Sequence, residues 1–148
     1  MVDVGCGESR AVEFFRSLGV EAVGIDGVPE AHPDIVHDYT QGPYDIPGGV
    51  DLVWSCEFVE HVEERYLPHF LSTFTCAPLV LMSHAEPGQP GYHHVNCRTQ
   101  DYWQGVMAAV GYVLDEELTE ASRAMAGPDD SAWWNHFWRS GLAFRRRP

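Results

Sequence analysis

The chain is poor in positive charge. Nine Lys and Arg stand against 22 Asp and Glu, for a formal net charge of -13 over 148 residues. A surface that acidic repels phosphate backbones and anionic lipids, so nucleic acid and membranes are unfavoured partners. The one basic run, 145–147, reads as a solubilising tail. Cysteine is scarce and unpatterned. Cys6, Cys56, Cys76 and Cys97 never fall at CxxC spacing, which argues against a zinc ribbon or a thioredoxin-type site and suits a reducing compartment. No apolar run approaches the roughly 20 residues of a membrane span, and the N-terminus lacks a charged-then-apolar signal pattern. There is no internal repeat and no low-complexity linker. The expectation is one cytoplasmic domain over residues 1–148.

What is present alternates between strand and helix. Residues 1–4, 21–26, 34–38, 50–57 and 78–85 read as short buried strands. Residues 9–18 read as a helix with Val12, Phe14, Phe15 and Leu18 on one face and Gly19 as its stop. Residues 59–76 read as a second helix, which Pro68 either kinks or starts late. Residues 86–96 form a polar loop, 41–49 a turn-rich one. Residues 99–111 are a helix with a Thr cap, a Gly stop, and Trp103 and Met107 facing the core. YVLDEELT, 112–119, reads as a strand or a strand plus turn, and 141–146 as a last strand. Strands alternating with helices predict an α/β doubly wound, mostly parallel sheet.

In such a sheet, ligands bind outside the carboxyl ends of the strands. The first end carries VDVGCGES, residues 2–9. Arg10 stands where a dinucleotide GxGxxG would need its third glycine, and the Walker pattern is absent. What remains is Asp3, Gly5 and Gly7 as DxGxG, then Asp26 ending strand two, 21 residues beyond Gly5. An acid there is placed to accept two hydrogen bonds from ribose hydroxyls. Asp38 ends strand three and is placed to face an adenine amino group.

VDVGCGES, VGIDG, DLVWSCEFVEHV and the late GYVLD…GLAFRR resemble the class I S-adenosylmethionine-dependent methyltransferases over nearly the whole chain. The resemblance implies a Rossmann-like, seven-stranded sheet of order 3-2-1-4-5-7-6 with strand seven antiparallel. It implies that Asp3, Gly5, Cys6 and Gly7 line the methionine end of the cofactor. Asp26 with Gly27 would hold the ribose, Asp38 with Tyr39 the adenine, and Cys56 or Glu57 the far side of the sulfonium. Two departures stand out. Ser9 replaces the third glycine of the family's turn. Members usually carry a helix before strand one, and none precedes it in this sequence, so a more open site is expected, or one covered by a partner chain or the 86–97 loop.

CEFVEHVEE places Glu57, Glu60 and His61 at a strand end and helix start, three and four residues apart. The loop adds His93 and His94. Glu57, Glu60, His61 and His94 are a candidate site for magnesium, manganese or zinc. The string also resembles that of metal-assisted O-methyltransferases, where the metal lowers the acceptor's pKa. Similar strings are common in metal-free members, where the glutamates begin a helix and are favoured by its dipole. His61, His93 and His94 are the candidate catalytic bases, with His84 behind them. His32, His37 and His69 read as turn or surface residues. In SAWWNHFW, 131–138, Trp133, Trp134, Phe137 and Trp138 either wall an acceptor pocket or pack a helix or dimer contact.

The expected function is methyl transfer from S-adenosylmethionine to a small-molecule oxygen or nitrogen acceptor, with or without a divalent metal. A homodimer or a partner subunit is left open. Two alternatives stand beside it: a cofactor-binding subunit without catalysis, and a lyase or hydrolase acting on S-adenosylmethionine itself.

Overall fold

A computed structural model describes residues 1–127 and 136–147. Seven strands form one sheet: β1 Val2–Val4, β2 Val23–Asp26, β3 Ile35–Val36, β4 Leu52–Ser55, β5 Leu79–Met82, β6 Tyr112–Leu114 and β7 Leu142–Arg146. Their order is β3-β2-β1-β4-β5-β7-β6. Every pairing from β3 across to β5 is parallel, and β7 runs antiparallel to both β5 and β6. The centre is apolar because helices cover both faces. All three residues of β1 are buried, Asp3 among them, and Val53, Val80 and Met82 continue the buried layer.

The helices are α1 Arg10–Ser17, α2 Leu67–Phe74, α3 Gln100–Ala109, α4 Glu116–Ala126 and α5 His136–Ser140. α1 buries Val12 and leaves Phe14 and Leu18 61% and 64% exposed, so the expected four-residue face is narrower than the sequence suggests. Its other inward residue is Phe15, whose ring meets Trp54 of β4 edge-on at 5.8 Å. Pro68 starts α2 late, after two short 3-10 turns at Val59–His61 and Glu64–Tyr66. Trp103 and Met107 of α3 are core, as their spacing predicts. Thr99 caps α3 through its hydroxyl and the Tyr102 N–H.

The segment expected as strand plus turn is instead β6 followed by α4. Asp115 caps α4, accepting the Leu118 N–H at 2.9 Å, and Glu116 and Glu117 complement the helix dipole. Asp115 also pairs with Arg145 of β7. The apolar YVL run masks this cap, which is an ordinary helix start. Trp133 and Trp134 lie outside the described residues. Phe137 stacks on Trp54 with centroids 4.9 Å apart. Among the described residues, no helix is long and apolar enough to cross a membrane.

Candidate functional site

The turn after β1 folds back over the end of β2. The N–H groups of Gly5 and Cys6 both donate to the Ile25 carbonyl, at 2.9 and 3.1 Å. Gly5 has a φ of 77°, and a methyl group there would stand 2.7 Å from Cγ of Phe58. Strain and space both require glycine. Gly7 has a φ of 50° but faces open space. Ser9 takes the same left-handed conformation, at 59°, in the position the family pattern gives to glycine.

Asp26 closes the turn from β2. Its Oδ2 accepts the Gly7 N–H and its Oδ1 the Val28 N–H, each at 2.9 Å. Each oxygen keeps a further lone pair. Asp38 is fixed likewise by Thr40, whose N–H and hydroxyl donate to its two oxygens at 2.8 Å. The Thr40 N–H does most to hold the Asp38 carboxyl below its usual range. Tyr39 is buried, and its hydroxyl lies 2.8 Å from that of Thr73. Burial pushes its phenol up to about 12.

These groups open on a cleft of about 400 Å³ outside the ends of β1, β2, β3 and β4. Of the residues picked out from sequence, Gly5, Gly7, Asp26, Gly27, Asp38, Tyr39, Glu57, His61 and His93 line it. Asp3, Cys6, Cys56, Glu60 and His94 do not. Asp3 lies behind the turn, and burial first, then the Asp26 charge, raises its carboxyl to about 7. Cys6 packs its sulfur against Gly24 of β2. The Cys56 thiol is driven to about 12, chiefly by burial, and is chemically quiet. Phe58, Tyr66 and His37 also line the cleft and were not anticipated. His37 sits against Tyr39 and Tyr44 rather than at the surface. Its place two residues before Tyr39 on the same chain end was the available signal.

The end of β4 is built from side chains. Glu57 has a left-handed φ of 53°. Its N–H donates to Ser83 Oγ at 2.9 Å, and that hydroxyl donates to Glu57 Oε1 at 2.8 Å. Glu57 Oε2 lies 2.9 Å from Nδ1 of His136. Glu57 is committed to Ser83 and His136 and is not one of the three residues whose donor atoms converge, although its carboxylate stays beside that of Glu60.

The group itself survives without it. Donor atoms of Glu60, His61 and His94 all lie within 4.8 Å of one another. The Glu60 carbonyl accepts the N–H groups of Val95 and Asn96, at 2.9 and 3.0 Å, which pins the 86–96 loop and brings His94 to His61. Their rings are 5.1 Å apart. His94 Nδ1 donates to the Gln89 carbonyl, leaving Nε2 as its ligand atom. Glu60 is fully buried, and among the described residues neither carboxylate oxygen has a hydrogen-bond partner. Burial first, then the Glu57 charge, raises it to about 8. Burial and then His94 lower the pKa of His61. His84 is buried behind, against Trp103, and does not line the cleft.

No family model matches the chain, and no curated protein matches it in sequence. Solved structures do match in fold. One is an S-adenosylmethionine-dependent methyltransferase from Mesorhizobium loti, at TM-score 0.62 and 16% identity, over 98% of this chain and 89% of that one. The fold is that of the class I S-adenosylmethionine-dependent methyltransferases. A methyltransferase from Archaeoglobus fulgidus matches at 0.58 and 16%, over 75% of this chain and 59% of its own. The small RNA methyltransferase HEN1 matches at 0.62 and 16%, over 99% of this chain and 23% of its own. The chain thus spans less than two thirds of the latter two proteins. In this methyltransferase fold the cleft falls where the strand order reverses, beside β1.

Proposed function

We propose that the chain binds S-adenosylmethionine in the cleft and transfers its methyl group to a small-molecule acceptor. The glycine turn closed by Asp26 carries this reading. It leaves backbone open to a ligand's methionine end and an oriented carboxylate free to accept ribose hydroxyls. Asp26 would take the ribose hydroxyls, while Asp3 stays behind the turn and does not line the cleft. Asp38, beside Tyr39, would meet the adenine. Glu57 and His61 would face the methyl group. The net charge of -13 favours a small acceptor over RNA.

Methyl transfer is largely a matter of alignment. Phe58 under Gly5 and the Ser83 clasp on Glu57 hold the two sides of the cleft in register. The residues Glu60, His61 and His94 fit a divalent ion, because a buried carboxylate without a partner is costly unless something pairs with it. Two imidazoles and one carboxylate suit zinc or manganese better than magnesium, which prefers oxygen. When bound there, the ion would lower the pKa of an acceptor hydroxyl.

The test is incubation with methyl-labelled S-adenosylmethionine, with and without a panel of small hydroxyl and amine acceptors. Label moving to an acceptor is the expected result. Breakdown of the donor by the protein alone would favour a lyase or hydrolase, and binding with no turnover a non-catalytic subunit. Metal analysis of the wild type and of Glu60→Gln tests the ion separately: zinc or manganese bound by the first and lost from the second.

A further inference from the structure

Ser83, Glu57 and His136 form a connected array at the end of β4, and His136 has no part in the roles above. Ser83 and Glu57 exchange two hydrogen bonds, at 2.9 and 2.8 Å. One holds the Glu57 backbone and the other its Oε1, so main chain and carboxylate are fixed by the same hydroxyl. Its other oxygen meets Nδ1 of His136 at 2.9 Å. A carboxylate only accepts, so Nδ1 carries the hydrogen, and the neutral imidazole has its lone pair at Nε2. That is how a carboxylate sets a histidine to take a proton. The imidazole is also held from its own side. Phe137, the next residue, stacks on Trp54, and Ser140 Oγ accepts the His84 N–H at 3.2 Å, tying α5 to β5. Both side chains are mostly covered, 19% exposed for Glu57 and 25% for His136; Glu57 lines the cleft, and His136 adjoins it through that bond. Its left-handed backbone is the strained conformation that clusters at working sites.

We propose that His136 is the base that takes the acceptor's proton, with Glu57 as its positioning residue, and that the acceptor is a hydroxyl. The proposal rests on the methyl-transfer reading. A neutral amine attacks with its own lone pair, whereas a hydroxyl gains most from a base built beside it. The acceptor O–H bond breaks and its proton passes to Nε2. The oxygen pair forms the bond to the methyl carbon. The carbon–sulfur bond breaks, and its pair stays on sulfur. The products are a methyl ether, S-adenosylhomocysteine and an imidazolium facing Glu57.

Two measurements on the full chain test this. The first needs no acceptor. Diethyl pyrocarbonate should modify His136, read by peptide mapping, and S-adenosylhomocysteine should slow that reaction. An unmodified or unshielded His136 overturns the proposal. The second compares phenol with 4-nitrophenol, the latter already ionised at mildly alkaline pH. His136→Gln should lower the ratio of the phenol rate to the nitrophenol rate by about 100-fold or more. Glu57→Gln should move it the same way by less. Equal losses on both phenols, or a wild type that binds S-adenosylhomocysteine but methylates neither, overturn the proposal. A wild type that does not bind S-adenosylhomocysteine overturns the methyl-transfer reading beneath it.

Discussion

The two sides of the cleft are built from different materials. The β1–β2 side is backbone: a glycine turn whose Gly5, Cys6 and Gly7 N–H groups are paired to Ile25 and Asp26. The β4–β5 side is side chain, and its buried groups are held in tension. Glu60 carries two unpartnered oxygens among the described residues, and Glu57 takes a strained φ to reach Ser83 and His136. A satisfied backbone cradle makes a fixed receptacle. A half-satisfied cluster of acids and imidazoles makes a place where protons or metal ions are exchanged. The first suits the invariant part of a donor molecule, the second the chemistry done on an acceptor.

The strongest way to break this contrast is Gly5→Ala. Overpacking against Phe58 adds to the positive-φ strain, and the variant should lose about 2–4 kcal/mol of stability and all measurable S-adenosylhomocysteine binding. Denaturant unfolding and calorimetry read both. Asp26→Asn comes next. One of its two N–H partners would face an amide N–H, so folding should cost about 1–3 kcal/mol and cofactor binding should weaken about tenfold. Unchanged binding would remove Asp26 from the site.

The pH dependence of stability comes third. Asp3 is raised to about 7, so the folded chain keeps its proton where the unfolded chain has lost it. Its contribution is complete below the ordinary carboxylate range and is lost as pH rises towards 7. The melting temperature should fall from about pH 4 to about pH 7, and Asp3→Asn should flatten that slope. The smallest effect belongs to Gly7→Ala. Nothing lies within reach of the added methyl, so only the backbone strain remains, about 1 kcal/mol. A Gly7 variant as damaged as the Gly5 variant would mean that strain, not Phe58, sets the turn.

The same division decided what the sequence revealed. The mostly parallel sheet, the glycine turn and Asp26 follow from local patterns: apolar runs, turn glycines and an acid at a strand end; the strand order came with the family resemblance. Gly5 and Asp26 were legible because backbone geometry demands those residue types. The β4–β5 side was legible only in part. Glu60, His61 and His94 meet because a carbonyl of Glu60 pins a loop more than thirty positions on, which no spacing rule foretells. Glu57 is not among the three converging donors because Ser83, just after β5, and His136 of α5 hold its carboxylate. His136 gave no signal at all, being one histidine among aromatic residues. Phe14 and Leu18 show the converse, a periodic apolar face that the fold leaves exposed.

The central claim is that the β1–β2 cradle holds S-adenosylmethionine. Calorimetric titration of the purified chain with S-adenosylhomocysteine tests it most directly. The account predicts saturable binding with one site per chain, lost in Gly5→Ala and weakened in Asp26→Asn. No heat of binding at millimolar ligand, from a chain shown by circular dichroism to be folded, would contradict it.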